Sequence, residues 1–550
     1  MTTRHDSDAF ALGRHELWSL REDVQVELAP DGGPALLHSR WGDITVQRPS
    51  SLVREALNRM CLGPISLENV IEDPARLAAV PGRQKRADGA SDVSPVSEDI
   101  QWMRLYQVLE RLQPLVIRSL GLDDGQPLLS VVPLTPSSRF SPVPLSPDVP
   151  VRLSTFASLR TDGNEYRLES PLSLHRVHLH RPEAISLVGA LGHAITPTAS
   201  AAVLPDGDRV AADALAYLAA AGMVVVAEGA QPTPGRYPPV FAEDNDQTLV
   251  GWSAADLTFH THSTFGRHDH DIGATYPRGE FRSTEPVVKS PLADPGIPLY
   301  RPTWEELVAA DPPLTVAIEG RRSTRSYGTA PVTAAELGEL LYRTARVRSL
   351  SPAAAGTAGG AEEQAPDLSD RPYPAGGACY ELELYVTVGQ CAGIATGVYH
   401  YDPLGHRLEL VNADQATVDK LLSFARAAAN APGPPQVLIT LTARLHRLTW
   451  KYQGLTYALI LKHVGVLTQM LYLVAAAMRL AACALGSVNI DATARAFGTD
   501  WRTEPSVGQF MIGSAPHAAE DHRDGWLTAN DASWPGLARE YLLRGRASPA

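Results

Sequence analysis

Cysteine is scarce. Cys61, Cys379, Cys391 and Cys483 are the only four in 550 residues, and no two are spaced C-x-x-C. Neither a disulfide framework nor a zinc ribbon is supported, and a reducing cytoplasm is the expected compartment. Long hydrophobic runs are missing too. The opening MTTRHDSDAF has no apolar signal core, so secretion is not expected, and the longest apolar run, Ala214 to Val226, falls well short of a membrane span. Positive charge is in deficit: 48 Lys and Arg against 61 Asp and Glu leave a formal net charge of -13. That balance argues against nucleic-acid binding that draws its affinity from neutralised phosphates.

What remains is ordinary soluble material, with 44% hydrophobic and 20% charged residues. A chain this long exceeds one core and predicts about three domains. Three segments lack sustained apolar periodicity and are rich in linker residues: GRQKRADGASDVSPVSED from Gly82, PLTPSSRFSPVPLSPDVPV from Pro133 and SPAAAGTAGGAEEQAPDLSDRP from Ser351. The second reads as an extended, proline-rich boundary, the third as a mobile loop. The expected division is therefore 1–135, 150–285 and 300–550.

In the first two parts, short strand-like runs alternate with helical ones. Trp41, Ile44 and Val46 form a strand candidate, and Leu52, Val53, Ala56, Leu57 and Met60 mark an amphipathic helix. Further on, VHLHR precedes a helix opening at Pro182, a residue suited to the first helical position. VAADALAYLAAAG stops at Gly222 and leads into Met223–Val226. Helices followed by a short β wing suggest two winged-helix-like modules, although a generic small α/β module fits the pattern equally.

From about residue 300 the signals sharpen. Thr333 and Glu336 have capping-box spacing ahead of Leu337, Leu340 and Leu341. Leu382, Leu384, Val386 and Val388 alternate as a strand, as do Val437, Ile439 and Leu441, while Val398–Tyr401, the Asp402–Gly405 turn, Leu408 and Leu410 read as a hairpin. Tyr457 to Leu480 is apolar almost all round and predicts a helix buried in a core or a subunit interface. The fold class expected is α+β.

Two segments carry candidate chemistry. Arg321-Arg322-Ser323-Thr324-Arg325 is dense in guanidinium and hydroxyl groups, which bind phosphate well. Alone it reads as easily as a solvated basic helix end. Pro374-Ala375-Gly376-Gly377 would let backbone approach a flat ligand, or would simply turn the chain before the next strand.

Four stretches in order, RRSTRSYG, RPYPAGGACYELELYV, KYQGLTYALILKHVGVLTQMLYLVAAAMRLAACALGS and SVGQFMIGS, resemble the streptolysin-S-type and cyanobactin-oxidase-type dehydrogenases, a branch of the FMN-dependent nitroreductase superfamily. RLSTFASLR, LESPLS and WSAADLTFHTHSTFGRHDHDIGATYP are similar to the amino-terminal half of its long members, which resembles tandem winged-helix peptide clamps. The resemblance implies a C-terminal nitroreductase-like domain. Arg321, Arg322, Ser323 and Arg325 match positions that hold the FMN phosphate and ribityl chain. Pro374, Ala375, Gly376 and Gly377 match the loop against the flavin ring. Gln469 matches a glutamine near the flavin, and Leu485, Gly486 and Ser487 match a backbone loop at the cofactor. These groups would come from two chains of a homodimer.

Lys451-Tyr452 matches the Lys-Tyr pair of azoline dehydrogenases. The implied activity is oxidation of thiazoline or oxazoline rings to azoles in a ribosomally made precursor peptide. A base takes the α-carbon proton while hydride leaves the adjacent carbon, and either residue of the pair could be that base. An azoline-forming cyclodehydratase is the implied partner, with neither nucleic acid nor a membrane involved. Departures are Ala375 for serine, Val488 for glycine, Gln509 for glutamate, and His262 and Thr264 for arginines. His260, His262, His268 and His270 invite a metal reading, but the resemblance accounts for the stretch and no metal is expected. An NAD(P)H-dependent nitro or quinone reductase is the second enzymatic reading, since nitroreductases bind nicotinamide without the G-x-G-x-x-G that this sequence lacks. A non-catalytic scaffold or a DNA-binding regulator is the third.

Overall fold

The computed structural model describes residues 15–71, 95–122, 125–203, 208–228, 238–279, 285–291, 295–352, 367–516, 527 and 529–544. The chain forms two compact units, Met1–His270 and Asp271–Ala550.

In the first unit a three-stranded meander, Gln25–Leu28, Ala35–His38 and Ile44–Val46, is followed by helices Ser51–Met60, Glu68–Ile71 and Pro95–Arg111. The pattern then repeats. A second meander, Ser158–Asp162, Glu165–Glu169 and His175–Leu179, precedes helices Pro182–Ala190, Pro197–Ser200 and Asp208–Ala220 and strand Val224–Val226. In both halves three strands precede the helices, and in the second the helix Asp208–Ala220 leads into strand Val224–Val226 where the sequence suggested it. The predicted helix at Leu52 is capped by Ser50, whose side chain accepts the Val53 N–H, and buries the five expected residues.

Each half has its own apolar core, one between Trp18 and Val116, the other between Leu120 and Val224. The halves nonetheless share one antiparallel sheet, in the order 65–66, 15–20, 116–121, 127–133, 175–179, 165–169 and 158–162. The two stretches expected as separate modules thus lie in one compact unit. The proline-rich segment from Pro133 belongs to its packing rather than to a spacer: Phe140 is buried, with its ring 5.1 Å from Tyr217 and 5.8 Å from His175. Of the segment from Gly82, residues 82–94 fall outside the described part, and Pro95 already opens a helix.

The second unit is built on an antiparallel sheet ordered Ile297–Pro298, Arg407–Asn412, Gly397–Asp402, Leu382–Val388, Val437–Ala443, Ser506–Ser514 and Leu480–Leu485. The two central strands, 382–388 and 437–443, are buried along their whole length. One core lies on the side of the helix Thr456–Ala477, another under helices Gln415–Ala429 and Ile490–Phe497. The apparent alternation in the two strands therefore has no solvent face to report. The capping box at Thr333 forms as its spacing predicts, with the Glu336 carboxylate accepting the Thr333 N–H. In the Asp402–Gly405 turn, Asp402 Oδ1 accepts the N–H groups of Leu404 and Gly405. The segment from Ser351 leaves strand Ser349–Pro352, which pairs with Asp367–Asp370; residues 353–366 lie outside the described residues.

By length and composition the helix Thr456–Ala477 could cross a membrane. It packs on the sheet with Ile460, His463, Leu467, Leu471 and Val474 buried, while Tyr457, Leu461 and Gln469 are exposed. It is a two-faced helix, with one face in the core and the other, Tyr457, Leu461, Lys462, Gly465 and Gln469, exposed.

Candidate functional site

Two clusters of candidate residues form in the second unit. The first gathers the glycine loop and the Lys-Tyr pair. Gly377 has φ +59°, and a Cβ there would lie 2.5 Å from Lys451 Nζ and 2.9 Å from Tyr452 Oη. A side chain at this position would have to displace the lysine ammonium and crowd the phenol. Ala378 and Tyr380 are also left-handed, with φ +54° and +45°, so this short segment holds backbone strain.

Two buried residues fix the loop. His463, on the long helix, accepts the Gly376 N–H at Nε2 (2.8 Å), and its Nδ1 lies 2.7 Å from Glu381 Oε1. Because Nε2 accepts, the proton of the neutral ring sits on Nδ1 and points to the carboxylate. Arg447, 2% exposed, donates through Nε and Nη2 to the Cys379 carbonyl at 3.0 and 2.9 Å. The pair is anchored from its own side: Tyr452 is paired with Ala274, and the Tyr276 N–H donates to the Lys451 carbonyl at 3.2 Å. Lys451 Nζ lies 5.6 Å from the Tyr452 ring centroid. Burial, then Cys379 and Tyr276, push the Tyr452 phenol above its ordinary value, so it stays protonated at neutral pH.

The second cluster follows helix Leu314–Gly320. The Thr324 N–H donates to the Ala482 carbonyl at 2.8 Å, which lays the arginine-rich segment along strand Leu480–Leu485. Tyr472 braces it. Its hydroxyl accepts the Ala484 N–H at 2.7 Å and lies 2.9 Å from Ser323 Oγ, while the Arg321 guanidinium is 4.9 Å from its ring. Arg321, Arg322, Arg479 and Arg539 line a cavity of 420 Å³ together with Tyr472 and Glu540. Four guanidiniums against one carboxylate make it a cationic cavity suited to a phosphate.

The remaining candidates flank these clusters in the chain or lie on the long helix. Gln469, Arg325, Gly486 and Ser487 are exposed, Pro374 is exposed, and Ala375 and Leu485 are half-buried. Gly486 and Ser487 follow the strand along which the arginine segment runs. Sequence reasoning missed His463, Glu381, Tyr472, Arg479 and Arg539. A histidine inside an otherwise apolar helix was the one signal that could have exposed His463. Among the departures, Gln509 is buried and donates to Thr440 Oγ1 at 3.1 Å, a packing role. In the first unit His268 and His270 stack at 3.5 Å with His262 edge-on to both. Among the described residues no group of three or more potential ligands is arranged to hold a metal.

Residues 151–269 match the family model of the cyanobactin oxidase ThcOx, and residues 318–514 match the nitroreductase family. A nitroreductase-type protein of Methanocaldococcus jannaschii is 26% identical over 167 residues, 30% of this chain and 75% of that one. Two solved structures are similar at low overall superposition. One is a nitroreductase-type protein of Ralstonia eutropha (23% identity, 41% of this chain and 90% of that one, TM-score 0.32). The other is the Escherichia coli microcin synthetase McbBCD complex with truncated pro-MccB17 bound (20% identity, 49% and 93%, TM-score 0.29).

Proposed function

The chain is a cyanobactin-oxidase-type member of the nitroreductase family, and from that premise we propose a flavin-dependent dehydrogenase that oxidises azoline rings of a ribosomally made precursor peptide to azoles. The observation that carries the reading is the convergence of Lys451 and Tyr452 on the Gly376–Gly377 backbone, fixed from behind by His463 and Arg447. A planar ring laid against that backbone would lie within reach of both side chains.

The residues fit FMN. Arg321, Arg322, Arg479 and Arg539, which line one cavity, would supply donors for a phosphate dianion, with the Ser323 hydroxyl beside Tyr472 next to them in the chain. Gly376 and Gly377 carry no side chain, so a flat ring system could approach the backbone on a side that Lys451 and Tyr452 do not fill. When bound, FMN supplies the two-electron acceptor of the reaction. Azoline oxidation removes a proton from the ring α-carbon and a hydride from the neighbouring carbon, and it leaves an aromatic ring. Lys451 and Tyr452 both reach the Gly376–Gly377 loop, so one of the pair would take the proton while the other orients the substrate by a hydrogen bond.

The two clusters would be completed by a second copy of the chain, with the arginine cluster of one protomer facing the glycine loop of its partner. The exposed Tyr457 and Leu461 on the outer side of the long helix, with Gln469 exposed on the same helix, support this. The first unit, with its repeated three-strand, three-helix order, would act as winged-helix-like clamps that grip the peptide or dock the cyclodehydratase that makes the rings. The match of residues 318–514 to the nitroreductase family also keeps a second reading, an NAD(P)H-dependent nitro or quinone reductase.

Purified protein should show flavin absorption bands. Under anaerobic conditions these bands should bleach when an azoline-containing peptide is added. Bleaching by NAD(P)H alone, with a panel of thiazoline and oxazoline peptides inert, would establish the reductase instead. Colourless protein that FMN cannot reconstitute would end both readings.

A further inference from the structure

The first unit holds a cavity of 530 Å³ whose chemistry is the reverse of the arginine-lined one. Its walls are aromatic and acidic. Trp102 and Tyr106 stack with ring centroids 5.7 Å apart, and Trp18 meets Tyr106 edge-on at 6.2 Å. Glu16, Glu68 and Asp213 line the same space. The field of these carboxylates reaches the phenols. After burial, Glu16 is the next influence raising the Tyr106 hydroxyl and Glu68 adds to it, while burial foremost pushes Tyr217 up to about 12, with Glu16 and Asp213 adding to it.

Two further observations point to a ligand. Tyr217 is 3% exposed and lines the cavity, and its hydroxyl, faced by the Arg118 guanidinium, makes no well-formed hydrogen bond. A buried hydroxyl of that kind costs stability unless something satisfies it. Moreover, the chain already places one planar cation here: the Arg118 guanidinium lies 3.5 Å from the centroid of Trp18, paired with Glu16 at 3.0 Å. The Trp102–Tyr106 pair offers a second such surface, with Tyr106 49% exposed.

We propose that this cavity binds an arginine side chain of a peptide partner. Its guanidinium lies on the Trp102–Tyr106 pair among Glu16, Glu68 and Asp213. A guanidinium suits the site better than an ammonium because it is planar, weakly hydrated and stacks on rings. Pro142, Pro144 and Leu67 provide apolar wall for the residues flanking the arginine. The proposal deepens the peptide-gripping role suggested above and rests on it for the origin of the peptide. The binding itself needs neither flavin nor turnover.

The test is calorimetric titration of the full chain with a blocked Gly-Leu-Arg-Leu-Gly peptide and with the same peptide carrying norleucine or glutamate at its centre. The arginine peptide should bind, with affinity falling as salt rises. The norleucine peptide should bind about tenfold more weakly and the glutamate peptide more weakly still. Glu68→Gln, an isosteric change at an exposed position, and Trp102→Leu should each weaken the arginine peptide about tenfold, with the circular dichroism spectrum unchanged for Glu68→Gln. Equal binding of the norleucine peptide, unaltered affinity in Glu68→Gln, or no saturable binding of the arginine peptide would overturn the proposal. So would binding seen only after residues 82–89 are deleted, because the cavity would then belong to the chain's own basic stretch. Failure of the azoline reading would leave these affinities unchanged, so the two ideas fail separately.

Discussion

At the scale of single residues, the Lys-Tyr pair was legible only by its place in an ordered set of motifs. A Lys-Tyr dipeptide has no meaning by itself. What holds it in place was not legible at all. His463 and Glu381 are 82 residues apart in sequence, and no local periodicity reports a pairing across that distance. Gly377 is different, since its need to be glycine follows from geometry. A methyl group there would enter the space of Lys451 Nζ, in a left-handed backbone that costs about 1 kcal/mol for any other residue. Gly377→Ala should therefore keep the fold and bound flavin yet lower turnover about tenfold or more by displacing the lysine. Lys451→Ala should abolish peptide oxidation, again with flavin retained. Visible spectra and single-turnover rates of the two variants check this together. Loss of flavin from Lys451→Ala would remove the assigned role, since the residue would then be a cofactor ligand.

Individual elements were the most legible scale. The capping box at Thr333, the turn at Asp402 and the helix from Pro182 fall where local chemistry puts them. Burial on both faces of strands 382–388 and 437–443 was not legible, because an alternating pattern does not reveal whether its small and polar positions also face packed elements. The same limit applies to the long helix. Its all-round apolar character left core and subunit interface open, and the fold takes one face for the core and leaves Tyr457 (45% exposed) and Leu461 (39% exposed) on the other. In the proposed homodimer that face is covered. Leu461→Glu would place a charge in the interface, costing a few kcal/mol. Light scattering should then show monomer where the parent is dimer, and the flavin should leave with the partner. A parent chain that is itself monomeric with flavin bound would show that one copy completes the site.

For the whole molecule, length predicted about three domains, while the chain forms two compact units, the first with two apolar cores under one shared sheet. Strand 127–133 pairs with 175–179 across the boundary expected between residues 135 and 150, and composition does not encode which strands meet. The two units carry different acid sensitivities. In the first, burial lowers His175 to about 4 and also lowers His180, His262 and His270. A histidine kept neutral in the fold contributes nothing to pH dependence above its unfolded value near 6.5, where both states are neutral. As pH falls from about 6.5 to about 4 the unfolded chain takes up the proton and the folded one does not, so stability drops, by roughly 3 kcal/mol for His175 once the fall is complete. In the second unit His406 is lowered in the same way, but the buried Glu383, held by Arg444 and His400 against the cost of burial, stays ionised down to about 2. Its contribution is intact above its unfolded value near 4.5 and is lost as pH falls from there through about 2. Acid titration should therefore unfold the first unit before the second, with circular dichroism falling between pH 6.5 and 4 while bound flavin, reporting on the second unit, is retained. His175→Leu should move the first transition to lower pH without moving flavin release. A single transition seen by both probes, or a His175→Leu curve that overlays the parent, would show that this histidine does not set the acid limit.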